Sequence, residues 1–371
     1  MININHYTLD ITLEFQPEIF PHSAPGLLRV KALLEVENAG PEPASVLPLL
    51  FYRLYALAGV SVDGKAARVT SRITGLEGIE RHHVHAVTLE LPEALPPGAS
   101  CRVSLEYGGV TAGAREVWPY IWDAVTRDYT LLRPEILWYP VAAPPDRASH
   151  LRATYLHRKH FDVTVQVPEG YMAVAPGLVS IQDGMARFRT AAPRERFDLA
   201  VARFTSLESG GVTIYHLPDD ARWGSSALGW VNAALKGLTD RLGPRSTGDL
   251  AIVQIPQGWG SQNTPHFILQ EAGLPDNWHA AAEVLHEVSH FWTPLPADPP
   301  RRFSDEALAS FFQAVLVGDV FGPEKAHEQM VRYQRSVDRA QGARETRFLD
   351  EQVADNLHGA VWYARGALEV W

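Results

Sequence analysis

His286-Glu287-Val288-Ser289-His290 decides how the second half of this chain is read. Val284, Leu285, Val288 and Phe291 recur around it at helical spacing, which predicts a helix over about 278–292. Histidines at i and i+4 leave the same face of a helix, so both imidazoles can reach one metal ion. Glu287 then sits beside that metal, where a carboxylate can take a proton from bound water. Sixteen residues after His290 comes Glu306, within Ser304-Asp305-Glu306-Ala307-Leu308, a third ligand from a second helix. The bland alternative is an amphipathic helix whose polar residues coincide by chance.

Working outward from that helix, the region after Ser209-Gly210-Gly211 alternates strands and helices. Strands are expected at 212–216, 250–255 and 266–270, and helices at about 222–242, 305–317, 323–339 and 357 to the end. A glycine-rich loop, Gly258-Trp259-Gly260-Ser261-Gln262-Asn263, lies between the second and third of these strands. The first half reads differently. Alternating apolar and polar residues at 7–15, 28–36, 86–91, 101–107 and 161–167 are separated by turn clusters such as Asn38-Ala39-Gly40-Pro41 and Leu95-Pro96-Pro97-Gly98. The expected organisation is therefore a multidomain β plus α+β chain. A β-rich sandwich or saddle domain spans 1–208, and an α+β domain carrying the chemistry spans 209–371.

At 371 residues the chain exceeds what one hydrophobic core usually serves. Its 46% hydrophobic and 20% charged content is ordinary for a globular protein. A formal net charge of -10 argues against nucleic acid or an anionic membrane as main partner. Cys101 is the single cysteine, which excludes an internal disulfide and a cysteine-built metal site. No stretch approaches the roughly 20 apolar residues of a membrane span. Met1-Ile2-Asn3-Ile4-Asn5-His6-Tyr7 alternates like a strand and lacks the pattern of a signal peptide, so a cytoplasmic location is expected.

Four motifs in order resemble the gluzincin zinc aminopeptidases typified by aminopeptidase N. His286-Glu287-x-x-His290 with Phe291-Trp292 is similar to that family's H-E-x-x-H and aromatic pair. Ser304-Asp305-Glu306-Ala307-Leu308-Ala309-Ser310-Phe311 resembles its L-N-E-G-F-A-S-Y, and Tyr363-Ala364-Arg365-Gly366-Ala367 its Y-x-K-G-A. Gly260-Ser261-Gln262-Asn263, followed by Glu271, occupies the place of its G-x-M-E-N loop. The resemblance implies a thermolysin-like zinc metallopeptidase domain behind a saddle domain, with one Zn2+ per chain on His286, His290 and Glu306. It implies Glu287 as general base and Tyr363 as oxyanion donor. Gly260, Gln262 and Asn263 would bind a peptide substrate, with Asn263 bracing the loop. The expected activity is removal of N-terminal residues from peptides.

The departures define the rival readings. Gln262 stands where the family has an amine-binding glutamate, and a neutral amide cannot balance an ammonium charge. A peptidase without strict need for a free amine is one alternative, and a non-catalytic zinc-containing peptide-binding or assembly module is another. The connection from His290 to Glu306, through Pro294-Leu295-Pro296-Ala297-Asp298-Pro299-Pro300, is shorter than the family's and stiff. Ala307 replaces a glycine, and Gln313 sits where an outer glutamate is usual. Family members continue past the tyrosine into further helices, so the second domain reads as truncated at its C-terminal end. Val361, Trp362, Leu368, Val370 and Trp371 give the last helix an apolar surface. A partner chain, another copy or a missing helical segment is expected to pack there.

Two other features are read blandly. His82-His83-Val84-His85 offers a histidine pair on one strand face, but a solvated hairpin is expected. The aromatics Trp118, Tyr120, Trp122, Trp138 and Tyr139 suggest packing between domains rather than a substrate groove.

Overall fold

The strand at Leu27–Asn38 shows how the first half is built: its side chains alternate between a buried and a solvent-facing row along nearly its whole length. The computed structural model describes residues 1–112, 122–244, 248–273, 277–292, 299–340, 342 and 359–371, apart from the side chains of 299–304, 359 and 362. Trp118, Tyr120 and the segment Pro294 to Asp298 lie outside the described residues. The chain divides into two compact units, Met1–Phe204 and Thr205–Trp371. A β-rich N-terminal domain is followed by a mixed α+β domain, as the sequence pattern implied.

In the first unit Leu27–Asn38 pairs antiparallel with Ile2–Glu14 on one side and Ser100–Val110 on the other, within an eight-stranded sheet. Ile2–Glu14 also pairs in parallel with His160–Gln166, His6 opposite His160, which ties the chain's start to a strand far along the sequence. A three-stranded sheet places Ile79–Leu95 between Ala44–Tyr52 and Arg68–Leu76. Leu9, Val30 and Val103 of the larger sheet share one core with Leu47, Leu49 and Phe51 of the smaller, the hallmark of a sandwich.

Two expectations are corrected here. The histidine tract is not a solvated hairpin. It runs through the middle strand of the three-stranded sheet, where neighbours cover it, leaving His82 and His85 buried and only His83 outside. His85 Nδ1 lies 2.7 Å from the Tyr55 carbonyl, and the His82 ring meets His150 of the short helix α1 (Arg147–Leu151) edge-on at 6.0 Å. Trp138 and Tyr139 pack inside this unit's own core, with Tyr139 5.3 Å from the Tyr7 ring. Nearby, charged groups are buried in pairs. Arg133 Nε and its backbone N–H both donate to Asp123 at 2.6 Å, while Arg196 is held by Glu135 and Asp198.

The second unit opens with a hairpin, Thr205–Ser209 and Val212–His216, turned at Gly210 and Gly211, which both take positive φ. Val212–His216, Leu250–Ile255 and Phe267–Glu271 run parallel, and Gln262–Thr264 closes one edge antiparallel to the last. Helix α2 (Ala221–Leu242) follows the hairpin, and α3 (Trp278–Ser289), α4 (Pro299–Phe321) and α5 (Pro323–Arg339) come after the sheet. Ala227, Val231 and Leu238 of α2, Val284, Leu285 and Val288 of α3, and Leu316 and Val317 of α4 share one core with Ile214, Ile252 and Ile268. A π-helical turn, Gly359–Arg365, leads into the short α6 (Gly366–Val370). Val361, Ala364 and Ala367 pack there against Met330, Tyr333 and Val337 of α5, while Val370 and Trp371 stay exposed. Among the described residues no helix is long and apolar enough to cross a membrane.

Candidate metal centre

Helix α3 begins at Asn277, whose side-chain oxygen accepts the backbone N–H of His279 at 2.9 Å, an N-cap. Once Val284, Leu285 and Val288 are turned into the core, the 100° step per residue sends Glu283, His286, Glu287 and His290 to the other side. The helix ends at Ser289, so His290 is its C-cap, still in helical conformation. The His286 and His290 rings stand nearly perpendicular with centroids 4.9 Å apart.

Helix α4 supplies Glu306. Its Oε2 lies 3.3 Å from His286 Nε2 and 3.6 Å from His290 Nε2. One ligand atom from each of the three residues falls within 4.8 Å of the others. His286 and Glu306 are buried and His290 is nearly so. The preceding residue, Asp305, accepts the Nδ1–H of His290 at 3.0 Å. With Nδ1 carrying the proton, the lone pair of Nε2 is left facing Glu306.

The electrostatics test whether a cation fits. Burial disfavours a charged His290, yet the Asp305 hydrogen bond and the Glu306 and Asp305 charges outweigh it and lift the ring to about 9. The negative charge of Asp305 and Glu306 around the ring favours a bound cation. Two imidazole nitrogens and one carboxylate oxygen are a borderline-soft donor set with room for a fourth ligand, which suits Zn2+. The residues fit the metal. Glu287 is half-buried beside them. Desolvation raises its carboxyl above the ordinary range, His286 and His290 oppose that, and Glu306 and Asp305 add to it.

The remaining expected site residues are placed as follows. The Tyr363 ring stacks on His286 at 5.6 Å, carried by the π-helical turn. Gly260 lies in the loop before the edge strand, and its N–H donates to Glu271 Oε1 at 2.5 Å, while Gly258 N–H donates to Oε2 at 3.0 Å. Both glycines have positive φ, which the absence of a side chain permits. Ser261 Oγ accepts the Glu271 N–H at 3.0 Å, so one carboxylate and one hydroxyl shape the loop. Asn263 Nδ2 donates to the Glu287 carbonyl at 2.7 Å. Gln262, one residue earlier on the edge strand, is half-buried and by strand alternation leaves from the opposite side. The structure thus gathers His286, His290, Glu306, Glu287 and Tyr363 and ties Asn263 to their helix.

Sequence reasoning missed the roles of three residues. Asp305 holds the His290 ring, Glu271 clamps the loop, and Gln313 Nε2 donates to the Ala282 carbonyl at 2.8 Å while its oxygen accepts from Tyr333, lacing α4 to α3 and α5. An acid directly before Glu306 was the signal available for the first.

No protein-family model matches the sequence. No curated protein matches it either. Solved structures do. Yeast LTA4 hydrolase in complex with bestatin superposes with a TM-score of 0.70 at 12% identity, covering 100% of this chain and 58% of that one. An M1 zinc metallopeptidase from Deinococcus radiodurans gives 0.61 at 17% identity, covering 99% and 80%. A point mutant of that metallopeptidase, bound to a Tyr-Ser-Ala substrate, gives 0.60 at 18%, covering 99% and 81%. This chain therefore spans 58% of the length of the yeast hydrolase. At these identities the likeness is one of fold, the fold of zinc metallopeptidases of the M1 type.

Proposed function

We propose that this chain is a zinc-dependent metallopeptidase that hydrolyses peptide bonds and acts as an aminopeptidase of the aminopeptidase N type. The observation that carries the reading is the meeting of His286 Nε2, His290 Nε2 and Glu306 Oε2 beside the Glu287 carboxylate. Zinc held by these three residues would supply a Lewis acid that brings the pKa of bound water to about 7.

The chain's own residues then have distinct work. Glu287, desolvated and raised, is suited to receive a proton from the attacking water and deliver it to the departing amine nitrogen. Tyr363, whose ring stacks on His286, would donate its phenol O–H to the oxyanion. One such donor is typically worth about 2.7–4 kcal/mol of barrier. Asp305 keeps the His290 ring in one tautomer. Gly260, Gln262 and Asn263 form the loop and edge strand against which a peptide would lie, with Asn263 fixing that strand to α3. The structural neighbour described with a Tyr-Ser-Ala substrate supports a peptide as the ligand class.

Hydrolysis of an aminoacyl amide and of its N-acetylated form, by zinc-loaded wild type and Glu287→Gln, tests this reading. Turnover of the free-amine substrate alone, abolished in Glu287→Gln, is the expected result. Equal turnover of both forms replaces the aminopeptidase with a peptidase indifferent to the amine. Equal inertness of both proteins on a broad peptide panel, with zinc bound to each, leaves a non-catalytic binding module.

A further inference from the structure

Glu283 is the odd residue of helix α3. Its neighbours Ala281, Ala282, Val284 and Leu285 are buried, yet it is exposed, and among the described residues it makes no hydrogen bond or ion pair. It stands four residues before Glu287, so the two carboxylates share a helix face about 6 Å apart along the axis. Its carboxyl is held above the ordinary range, first by partial desolvation and then by the charges of Glu271 and Glu287, against Arg332 and His286. Arg332 is the cation facing it, but Arg332 Nη1 is engaged by His279 Nδ1 at 2.5 Å and Gln329 Oε1 at 3.5 Å. Glu271 is likewise occupied, its two oxygens accepting from Gly258 and Gly260.

Taking the peptidase reading as its basis, we propose that Glu283 is a specificity residue, which selects peptides carrying a lysine or arginine side chain next to the scissile bond. Reach decides between this cation and the substrate's α-amine. The α-amine is two bonds from the scissile carbonyl carbon, too short a reach to span the turn from Glu287 to Glu283. A side-chain ammonium or guanidinium, at the end of a three- or four-carbon stem, extends a full helical turn and meets Glu283. A partly solvated, charge-assisted contact of this kind is worth about tenfold in affinity.

The test separates this inference from the reading beneath it by measuring binding as well as turnover. Zinc-loaded Glu287→Gln is titrated with peptides that differ only by lysine or norleucine on either side of the scissile bond, with and without Glu283→Gln. The lysine peptide is expected to bind about tenfold more tightly at one of the two positions, the preference vanishing in Glu283→Gln and shrinking with added salt. Equal or undetectable binding of both peptides, or a preference that survives Glu283→Gln, overturns the proposal. Wild type that hydrolyses neither peptide sinks the peptidase reading, and the binding comparison still decides the role of Glu283.

Discussion

Asp305 grips His290 from behind: its Oδ1 lies 3.0 Å from Nδ1, while Nε2 of the same ring faces Glu306. A carboxylate in that place fixes both the tautomer and the ring orientation of a ligand histidine. Replacing Asp305 by alanine is expected to weaken zinc binding about 10–100-fold, with Asp305→Asn recovering part of the loss. Competition against a fluorescent chelator reads this directly. Unchanged affinity in Asp305→Ala means the hydrogen bond does not position the ligand.

Asn263 joins the edge strand to helix α3 at a point where the backbone needs it. The Phe291 N–H, which would continue the helix by bonding Glu287, goes to the Val288 carbonyl instead. The Asn263 amide fills that vacancy at 2.7 Å. Asn263→Ala is expected to cost about 1–2 kcal/mol in urea unfolding, because a carbonyl at the helix end loses its partner. Asn263→Asp, which swaps the donor for an acceptor, is expected to cost at least as much. A neutral effect of both substitutions contradicts the assignment.

The first unit carries its own test in the Asp123–Arg133 pair, both side chains fully buried. Removing Asp123 takes a short charge-assisted hydrogen bond from the buried guanidinium and the acceptor from the Arg133 backbone N–H. Asp123→Ala is expected to destabilise by about 3–5 kcal/mol. Replacing both residues by apolar ones of similar size is expected to be much milder. Denaturant midpoints of the single and double variants check the contrast.

Acid sensitivity has a named source in His150. The ring is fully buried, and neither nitrogen has a hydrogen-bond partner among the described residues. Burial first, then the adjacent His82, push it down to about 3. An unfolded histidine titrates near 6.5, so between about 3 and 6.5 the unfolded chain binds the extra proton. Stability is therefore lost as pH falls below about 6.5, by roughly 1.4 kcal/mol per unit from this residue. In His150→Leu that slope is expected to flatten, whatever the substitution costs at pH 7. Parallel stability curves for variant and wild type between pH 7 and 4.5 refute it.

Much of the architecture was legible from periodicity. The strands Val212–His216 and Leu250–Ile255 and the helix Pro323–Arg339 have the bounds their apolar spacing implied. Helix α4 starts earlier than expected because Pro299 and Pro300, read as a stiff connection, sit in its first turn, where a missing N–H costs nothing. Helix α3 stops at Ser289, short of the aromatic pair, because Phe291 and Trp292 turn back to bond Val288 and Ser289. That His286 and His290 share one face of α3 was legible for the same reason as the helices, since spacing alone sets that face. The contacts of Asp305 and Glu271 were not, because they depend on which carboxylate meets which N–H or ring across separate elements. The histidine tract at 82–85 was misread for a related reason. Alternation within one strand does not reveal the two strands that flank it.

The zinc content of the chain after reconstitution and removal of free metal probes the centre of this account most directly. Wild type is expected to retain about one zinc ion per chain, and His286→Ala/His290→Ala none, with Glu306→Ala sharply reduced. Retention of the same zinc by the doubly substituted chain, or none by wild type at micromolar free zinc, would contradict it.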